Sequence, residues 1–369
     1  MQYRRLKRKC SVEPLESRAL LSTITVTSLA DNQDGEVTLR EAVLAANEDR
    51  SVDGSVAGSG SDVIKFDPSL AGGTIELQLG ELLVTKTLTV DGPSQRIDID
   101  AGNSSRIFNV SETTRFRAQD LRLPNGDADF GGAILTGAKN TFVVRSRLVG
   151  NKATESGGAI RTTREEGGLL AIRSTWFNSN EADVASAAIS VGSGFSEPTT
   201  LEISNAIFRD NVSASGIVSS GVWDGADQER FSFVESTSFR DNDSGTASVL
   251  SSPTVRDSQF TGNRGGAVLG GARFVSDSSF EANQKASVIL SMENVTDDFG
   301  EEERFTDVVD SEFRGNTAPH TITTSGNFFP YDWEYGFNQG TLRGQHLVIS
   351  ETPEPGFMAS TTVLSTLRM

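Results

Sequence analysis

Short runs of alternating apolar and polar residues recur along much of the chain, and one pattern marks each recurrence. In this pattern a Phe stands three residues before an Asn. Six segments carry it, at Phe177 and Asn180, Phe208 and Asn211, Phe239 and Asn242, Phe260 and Asn263, Phe280 and Asn283, and Phe313 and Asn316. A seventh segment has Leu148 in place of Phe, followed by Asn151. Internal repeats of this length are typical of solenoids, in which each repeat forms one coil.

The spacing of these anchor residues indicates the length of a coil. From Leu148 the anchor recurs after 29, 31, 31, 21, 20 and 33 residues, so a bare coil takes about 20 residues and the excess is insertion. Strands in adjacent coils lie about 4.8 Å apart, which would stack the Phe side chains into one column. The Asn amides are expected to form a ladder where these strands end, and Asn tolerates the left-handed conformation that a turn requires. We therefore predict an all-β fold, a single-stranded right-handed parallel β-helix.

A short helix is predicted near the N-terminus. Thr38 and Glu41 have the spacing of a capping box, with Thr38 as the N-cap. Apolar residues then recur three and four positions apart, at Leu39, Ala42, Val43 and Ala46. A helix over residues 39–47 would lay this face on the open end of the core.

These patterns divide the chain into segments. Residues 1–23 form a basic, leader-like segment, and residues 24–350 form the β-helix. Within it, residues 24–100 provide the cap and first coils, 130–317 the repeat coils, and 318–350 an irregular C-terminal cap. The aromatic stretch 328–337 is expected to plug the open end of the solenoid. Residues 351–369 are expected to be a flexible tail.

Four insertions account for the longer coils, at residues 161–168, 191–200, 221–230 and 291–304. Each follows the Ile or Val strand of its coil, so all four should project from the same corner. Functional loops of solenoids usually share one face, which makes this corner the candidate binding surface. The candidate ligand-binding residues are Phe195, Trp223, Asp224 and Asp227. Solvated loops without a function are the alternative interpretation.

Composition and charge restrict the function classes. The chain is 36% hydrophobic and contains 36 glycines, as expected for many short elements joined by turns. A net charge of −17 disfavours binding to nucleic acids. Cys10 is the single cysteine, so no disulfide within the chain and no Cys-based metal site is possible. No apolar run reaches the length of a transmembrane span.

No cofactor is expected from the sequence. Residues 31–36 resemble part of a calcium loop but lack its downstream acidic ligand, so a surface Ca²⁺ is supported by no complete motif. The expected partner is an extracellular glycan or a cell-surface component. The oligomeric state stays open.

Residues 24–100 resemble the CSLREAI domain and the related polymorphic outer-membrane proteins. The similarity lies in four segments that occur in the family's order: residues 39–43 (LREAV), 62–66 (DVIKF), 73–77 (GTIEL) and 88–93 (LTVDGP). Val37 and Thr38 stand where that family usually carries Cys and Ser. The resemblance implies the N-terminal cap and first coils of a β-helix on a bacterial surface or secreted protein.

A second resemblance concerns the leader-like segment. Residues 15–21 (LESRALL) are similar to the LEPR-x-LL motif near the N-terminus of large exported planctomycete proteins, with Ser17 in place of Pro. It implies an extracellular or cell-surface location.

Two function hypotheses follow. The first is a non-catalytic secreted or cell-surface scaffold, adhesive or carbohydrate-binding through the inserted loops. The second is a polysaccharide lyase or glycoside hydrolase, because many β-helices, among them pectate lyases, act on polysaccharides. Carboxylates clustered on neighbouring coils would favour the enzyme. The nearest such pattern is Arg209-Asp210 at the same phase as Arg240-Asp241, which is better explained as structural ion pairs. His320 and His346 lack a nearby nucleophile motif, so no catalytic residue and no metal ligand is assigned.

Overall fold

A computed structural model describes most of the chain between residues 21 and 364. The described residues are 21–32, 35–164, 166–192, 197–219, 232–252, 254–272, 274–284, 288–293, 306–317, 320–325, 342–345, 347–350 and 362–364.

The first part of the chain contains helix α1, Leu39–Glu48, a short 3-10 helix at Pro68–Leu70, and the earliest coils. Its strands are β1 (Ser22–Val26), β2 (Ser61–Phe66), β3 (Thr74–Glu76), β4 (Leu82–Val84), β5 (Thr87–Asp91), β6 (Ile97–Asp100), β7 (Phe108–Val110), β8 (Arg115–Gln119), β9 (Leu121–Pro124), β10 (Asp127–Phe130), β11 (Ile134–Thr136), β12 (Asn140–Val144), β13 (Arg147–Val149), β14 (Lys152–Ser156) and β15 (Ile160–Thr162).

The later coils contain the remaining strands. These are β16 (Glu166–Arg173), β17 (Trp176–Asn178), β18 (Glu181–Ala182), β19 (Ile189–Ser190), β20 (Glu197–Ser204), β21 (Ile207–Arg209), β22 (Val212–Ser213), β23 (Val218–Ser219), β24 (Phe233–Glu235), β25 (Ser238–Arg240), β26 (Ser248–Ser251), β27 (Thr254–Arg256), β28 (Gln259–Thr261), β29 (Ala267–Ala272), β30 (Phe274–Ser276), β31 (Ser279–Glu281), β32 (Val288–Glu293), β33 (Thr306–Val309), β34 (Glu312–Arg314), β35 (His320–Ser325), β36 (Leu342–Gln345), β37 (Leu347–Ser350) and β38 (Thr362–Leu364).

The strands stack into a parallel β-helix, which confirms the predicted fold class. Sheet A has the order β1-β2-β5-β8-β12-β16-β20-β24-β27-β30-β33-β36. Sheet B has the order β3-β6-β9-β13-β17-β21-β25-β28-β31-β34-β37-β38, and sheet C the order β4-β7-β11-β15-β19-β23-β26-β29-β32-β35. A smaller sheet D, β10-β14-β18-β22, lies between B and C along the chain. All described pairings of strands are parallel except β37 with β38.

The core contains the column of Phe side chains expected from the repeat. Phe177, Phe208, Phe239, Phe260, Phe280 and Phe313 are fully buried in successive strands of sheet B. Their ring centroids are 4.6 to 4.9 Å apart, and adjacent rings lie within 5° of parallel. This spacing equals the distance between strands of one sheet, so each inner ring of the column stacks on the rings of both neighbouring coils.

The Asn residues form a buried ladder at the end of sheet B. Asn180 Nδ2 donates to Asn211 Oδ1 at 2.9 Å and to the Leu148 carbonyl at 3.1 Å, and Asn180 N donates to the same Oδ1 at 3.0 Å. The left-handed turn conformation falls on the preceding residue instead of the Asn, for example on Ser179 and Asp210. The Asn therefore contributes its amide to the neighbouring coils, while the residue before it makes the turn.

Helix α1 begins at Leu39, as predicted, and ends one residue later than predicted. Thr38 N donates to Glu41 Oε2 at 3.0 Å and Glu41 N to Thr38 Oγ1 at 3.3 Å, so both halves of the capping box are present. The helix packs its apolar face on the first coils. Its buried residues include Leu39, Ala42, Val43, Ala45 and Ala46.

Side chains from the cap complete the edge of the first coil. Arg40 makes a two-point ion pair with Asp31, at 2.8 and 2.9 Å, and also donates to the Gly80 carbonyl at 2.7 Å. Asp31 Oδ2 accepts from the backbone N–H groups of Gln78 and Leu79. Asp31 begins the acidic turn that resembles a calcium loop, and its carboxylate is engaged by these protein donors.

The solenoid continues past Asn316, in a range where the sequence indicated an irregular cap. Strand β35 pairs with β32 in sheet C, β36 with β33 in sheet A, and β37 with β34 in sheet B. Ile349 stands in register with Phe313, 36 residues after it. A further coil therefore follows the last Phe, with Ile at the anchor position.

Candidate functional site: the insertion corner

The four insertions all lie between a strand of sheet C and the next strand of sheet A. They join β15 to β16, β19 to β20, β23 to β24, and β32 to β33. The segment 326–341, which includes the aromatic stretch, likewise joins β35 of sheet C to β36 of sheet A. We call this edge the C-to-A corner. The aromatic stretch, residues 328–337, lies outside the described residues.

Part of the first two insertions is strand. Residues 166–168 begin β16, residues 197–199 begin β20, and Glu166 is in register with Glu197. Strand β16 is thereby eight residues long, whereas β12 in the preceding coil has five. The added residues of β16 and β20 pair with each other in parallel and gain backbone hydrogen bonds, so sheet A is wider at these two strands. The connecting segments are correspondingly shorter, at 163–165 and 191–196.

The described base of the corner is held by backbone and hydroxyl contacts. Thr163 N donates to the Thr136 carbonyl at 2.9 Å, and Gly192 N donates to Thr162 Oγ1 at 2.8 Å. Arg164 Nε donates to the Gly167 carbonyl at 2.6 Å, which closes a tight turn between β15 and β16. The contacts of Thr163 and Gly192 tie the segments that follow β15 and β19 to the coil before each.

The candidate ligand-binding residues Phe195, Trp223, Asp224 and Asp227 lie outside the described residues. The strands that flank them are β19 and β20 for Phe195, and β23 and β24 for the other three. Their assignment to the C-to-A corner therefore rests on the connectivity of the sheets.

The described outer surface carries ordered charge pairs. Arg209 and Arg240 are in register on sheet B, and Arg209 Nε lies 3.1 Å from Asp210 Oδ2. Both side chains of this pair are about half exposed, so it has little effect on stability. Arg145 pairs with Asp120, and this hydrogen bond raises the pKa of the Arg145 guanidinium.

Sequence reasoning missed two outward-facing features. Trp176 is 45% exposed on sheet B, and the Arg147 guanidinium lies 4.5 Å from its ring centroid. Arg161 in β15 is partly buried beside Ser190 of β19, in register with it. Neither belongs to the Phe and Asn pattern, and a stretch of alternating residues gives no signal of which outward side chains meet.

The described part of the chain brings together no group of three or more His, Cys, Asp or Glu side chains that could hold a metal ion. Among the described residues, no helix has the length and apolar character needed to cross a membrane. His320 lies in β35, whereas His346 is outside the described residues.

Comparisons with known proteins give no relative for this chain. No protein-family model, no curated protein and no solved structure matches it.

Proposed function

We propose that the chain is a non-catalytic β-helix scaffold, secreted or on the cell surface, that binds a glycan or another surface component at the C-to-A corner. The observation that carries the proposal is the connectivity: every long insertion leaves sheet C and enters sheet A. Insertions at unrelated places would be expected if they only reflected tolerance of extra residues at the surface. The coils that carry an insertion therefore all carry it in the same connection.

The regular packing of the coils that carry the insertions supports a binding role. The Phe column and the Asn ladder run unbroken through the coils that carry the first three insertions. A binding surface gains affinity when its supporting elements are already ordered, because less conformational entropy is lost on binding.

The extracellular location and the family assignment are proposals that rest on sequence resemblance. Within the LREAV segment that carries the resemblance, Arg40 and Glu41 have separate structural roles. Arg40 ties the helix to the first coil, and Glu41 completes the capping box. Labelling of intact cells with an impermeant reagent, followed by detection of the tagged chain, tests the location.

The binding proposal is tested with a glycan array and a deletion. Residues 221–230 include Trp223, Asp224 and Asp227, and their removal leaves a coil of 21 residues, the length already found between Phe239 and Phe260. We expect the variant to fold with nearly unchanged melting temperature and to lose binding to the glycan selected on the array. Normal binding by the folded variant would move the site elsewhere.

The glycans selected on the array also distinguish a scaffold from an enzyme. A reducing-sugar assay on the array hits should show no cleavage by the intact chain. Cleavage that disappears in Asp224→Asn or Asp227→Asn would contradict the scaffold and favour a polysaccharide lyase or hydrolase.

A further inference from the structure

The outer face of sheet B carries a short basic strip in an acidic chain. In strands β13, β17, β21 and β25 the buried anchor is flanked on each side by a residue that faces outward. These residues, which we call the sheet B strip, are Arg147, Val149, Trp176, Asn178, Ile207, Arg209, Ser238 and Arg240. The strip contains three arginines and no carboxylate, whereas the chain has a net charge of −17.

On both sides of the strip, carboxylates occupy the same outward positions of sheet B. Asp98 and Asp100 face outward in β6, and Glu281 and Glu312 do so in β31 and β34. At physiological salt, charges more than about 8 Å away are largely screened. A ligand on the strip therefore interacts mainly with the arginines.

Arg147 holds an unpaired charge on this face. Its guanidinium lies 4.5 Å from the centroid of the Trp176 ring and makes no ion pair or hydrogen bond with a described residue. Arg96 and Arg117, which also lack an ion pair, each donate a hydrogen bond to a described residue. Arg147 is in register with Arg122 of β9, and like charges in register repel each other. Its five N–H donors are therefore available to an acceptor from solution.

A second unpaired charge and an exposed ring lie on the same strip. Trp176 is 45% exposed, and its indole N–H makes no hydrogen bond to a described residue. Arg209 is paired with Asp210, whereas its register partner Arg240 pairs with no described carboxylate. Arg147 and Arg240 are three strands apart, about 14 Å along the solenoid axis. The exposed ring lies between these two unpaired guanidinium groups.

The dimensions of the strip fit a linear chain. Each strand contributes three residues, about 10 Å, and four strands span about 19 Å, so the strip covers about 200 Å². A folded protein partner buries about 800 Å² on each side of a stable interface. The strip is too small for such a partner. A polymer that lies along the solenoid axis would meet a new pair of outward residues every 4.8 Å or so, about one strand spacing.

We propose that the sheet B strip binds an acidic polysaccharide along the solenoid axis, with Arg147 and Arg240 bonding the carboxylates of uronic acid residues and Trp176 packing on the sugar between them. The planar guanidinium matches a carboxylate through two parallel hydrogen bonds. The apolar surface and the N–H of an indole match the C–H groups and hydroxyls of a sugar, which favours a glycan over an acidic peptide. Sheet B borders neither side of the C-to-A corner, so this inference goes beyond the function proposed above.

The test is calorimetric titration of the full chain with a linear uronic-acid oligomer and with its carboxyl-reduced, neutral counterpart. We expect binding of the uronic-acid oligomer alone, weakened by added salt. Arg147→Gln and Trp176→Ala should each weaken this binding by about tenfold or more. Arg147→Lys keeps the charge without the planar fork and should retain part of the affinity. Arg256→Gln is the matched control, because Arg256 lies over the ring of Phe274 on sheet A, outside the strip.

Arg240→Gln provides a second variant, and all these side chains face outward, so the melting temperature should stay nearly unchanged. Unchanged binding in both Arg147→Gln and Arg240→Gln would overturn the inference, as would absence of binding by the natural chain. Equal binding of the neutral counterpart would overturn the role of the carboxylates. Equal binding of a polyglutamate chain of the same length would overturn the glycan assignment.

The deletion of residues 221–230 separates this inference from the function proposed above. The variant should bind the uronic-acid oligomer as the natural chain does, because the deletion leaves the strip intact. Loss of uronic-acid binding in the deletion variant would place the acidic glycan at the C-to-A corner and overturn the strip. Normal binding of the array glycan by the same variant would contradict the corner alone.

Discussion

Two hydrogen bonds join Asn211 to the side chain of Asn242 on the neighbouring coil. Asn242 Oδ1 accepts from Asn211 Nδ2 at 2.9 Å and from Asn211 N at 3.1 Å. Asn242 Nδ2 in turn donates to the Phe208 carbonyl at 3.0 Å and to Asn263 Oδ1 at 2.9 Å. One amide thus satisfies buried groups of the coils on both sides, so that the turns of successive coils form one connected network.

Asn242→Ala should lower the free energy of unfolding by about 3 kcal/mol or more, because several buried polar groups lose their partner at once. Urea unfolding followed by circular dichroism measures the change. The matched control is Asn178→Ala, since the Asn178 amide bonds to Ser179 Oγ at the surface. A control effect as large as that of Asn242→Ala would mean that the ladder contributes little.

Phe260→Ala should cost about 3–5 kcal/mol of stability. Its ring lies 4.9 Å from that of Phe239 and 4.7 Å from that of Phe280, in coils too short to collapse into the cavity. Phe274→Ala provides the comparison, because Phe274 faces outward and contacts Arg256. We expect about 1 kcal/mol or less there. Equal losses in thermal or urea unfolding would contradict the packed column.

Asp31→Ala should loosen the cap without unfolding the repeat coils. The change leaves Arg40 without its carboxylate and two backbone N–H groups, those of Gln78 and Leu79, without an acceptor. Hydrogen exchange at residues 78–85 should become faster, while exchange in the Phe coils stays the same. Glu48→Ala, which removes an exposed partner of Arg50, serves as control and should leave exchange unchanged. Protection of residues 78–85 equal to that in the natural chain would show that the cap does not depend on this pair.

Asp62 makes the stability of the first coils depend on pH. Burial raises the pKa of its carboxyl above the ordinary 3.8, and the nearby charge of Asp49 acts in the same direction. Folding therefore favours the protonated acid. Its stabilising contribution is fully present below about pH 3.8 and is lost as the pH rises through the higher folded-state pKa.

The neutral variant Asp62→Asn keeps an acceptor for Ser59 N and removes the charge. We expect it to melt higher than the natural chain at pH 7, with the difference vanishing near pH 3.5. Melting curves at both pH values test this. A lower melting temperature for the variant at pH 7 would mean that the ionised carboxylate stabilises the fold.

Much of the fold was determined by the sequence alone, because its signals are local. Each signal lies within a short stretch of chain. These signals are the three-residue step from Phe to Asn, the capping box of Thr38 and Glu41, and the excess length of certain coils. They were enough to predict stacked parallel strands, the N-terminal helix and the shared corner of the insertions. The physical basis is that strand alternation and helix capping depend on residues a few positions apart.

Other features were decided by the tertiary structure. Parallel strand pairing joins residues 19 to 40 positions apart, and no local pattern records which outward side chains then meet. Stacking placed Ile349 over Phe313, which extended the solenoid beyond the last Phe. The left-handed turn lies at Ser179, whereas Asn180 gives its amide to the neighbouring coils. Stacking also placed Arg161 beside Ser190, whose hydroxyl accepts from the Arg161 guanidinium.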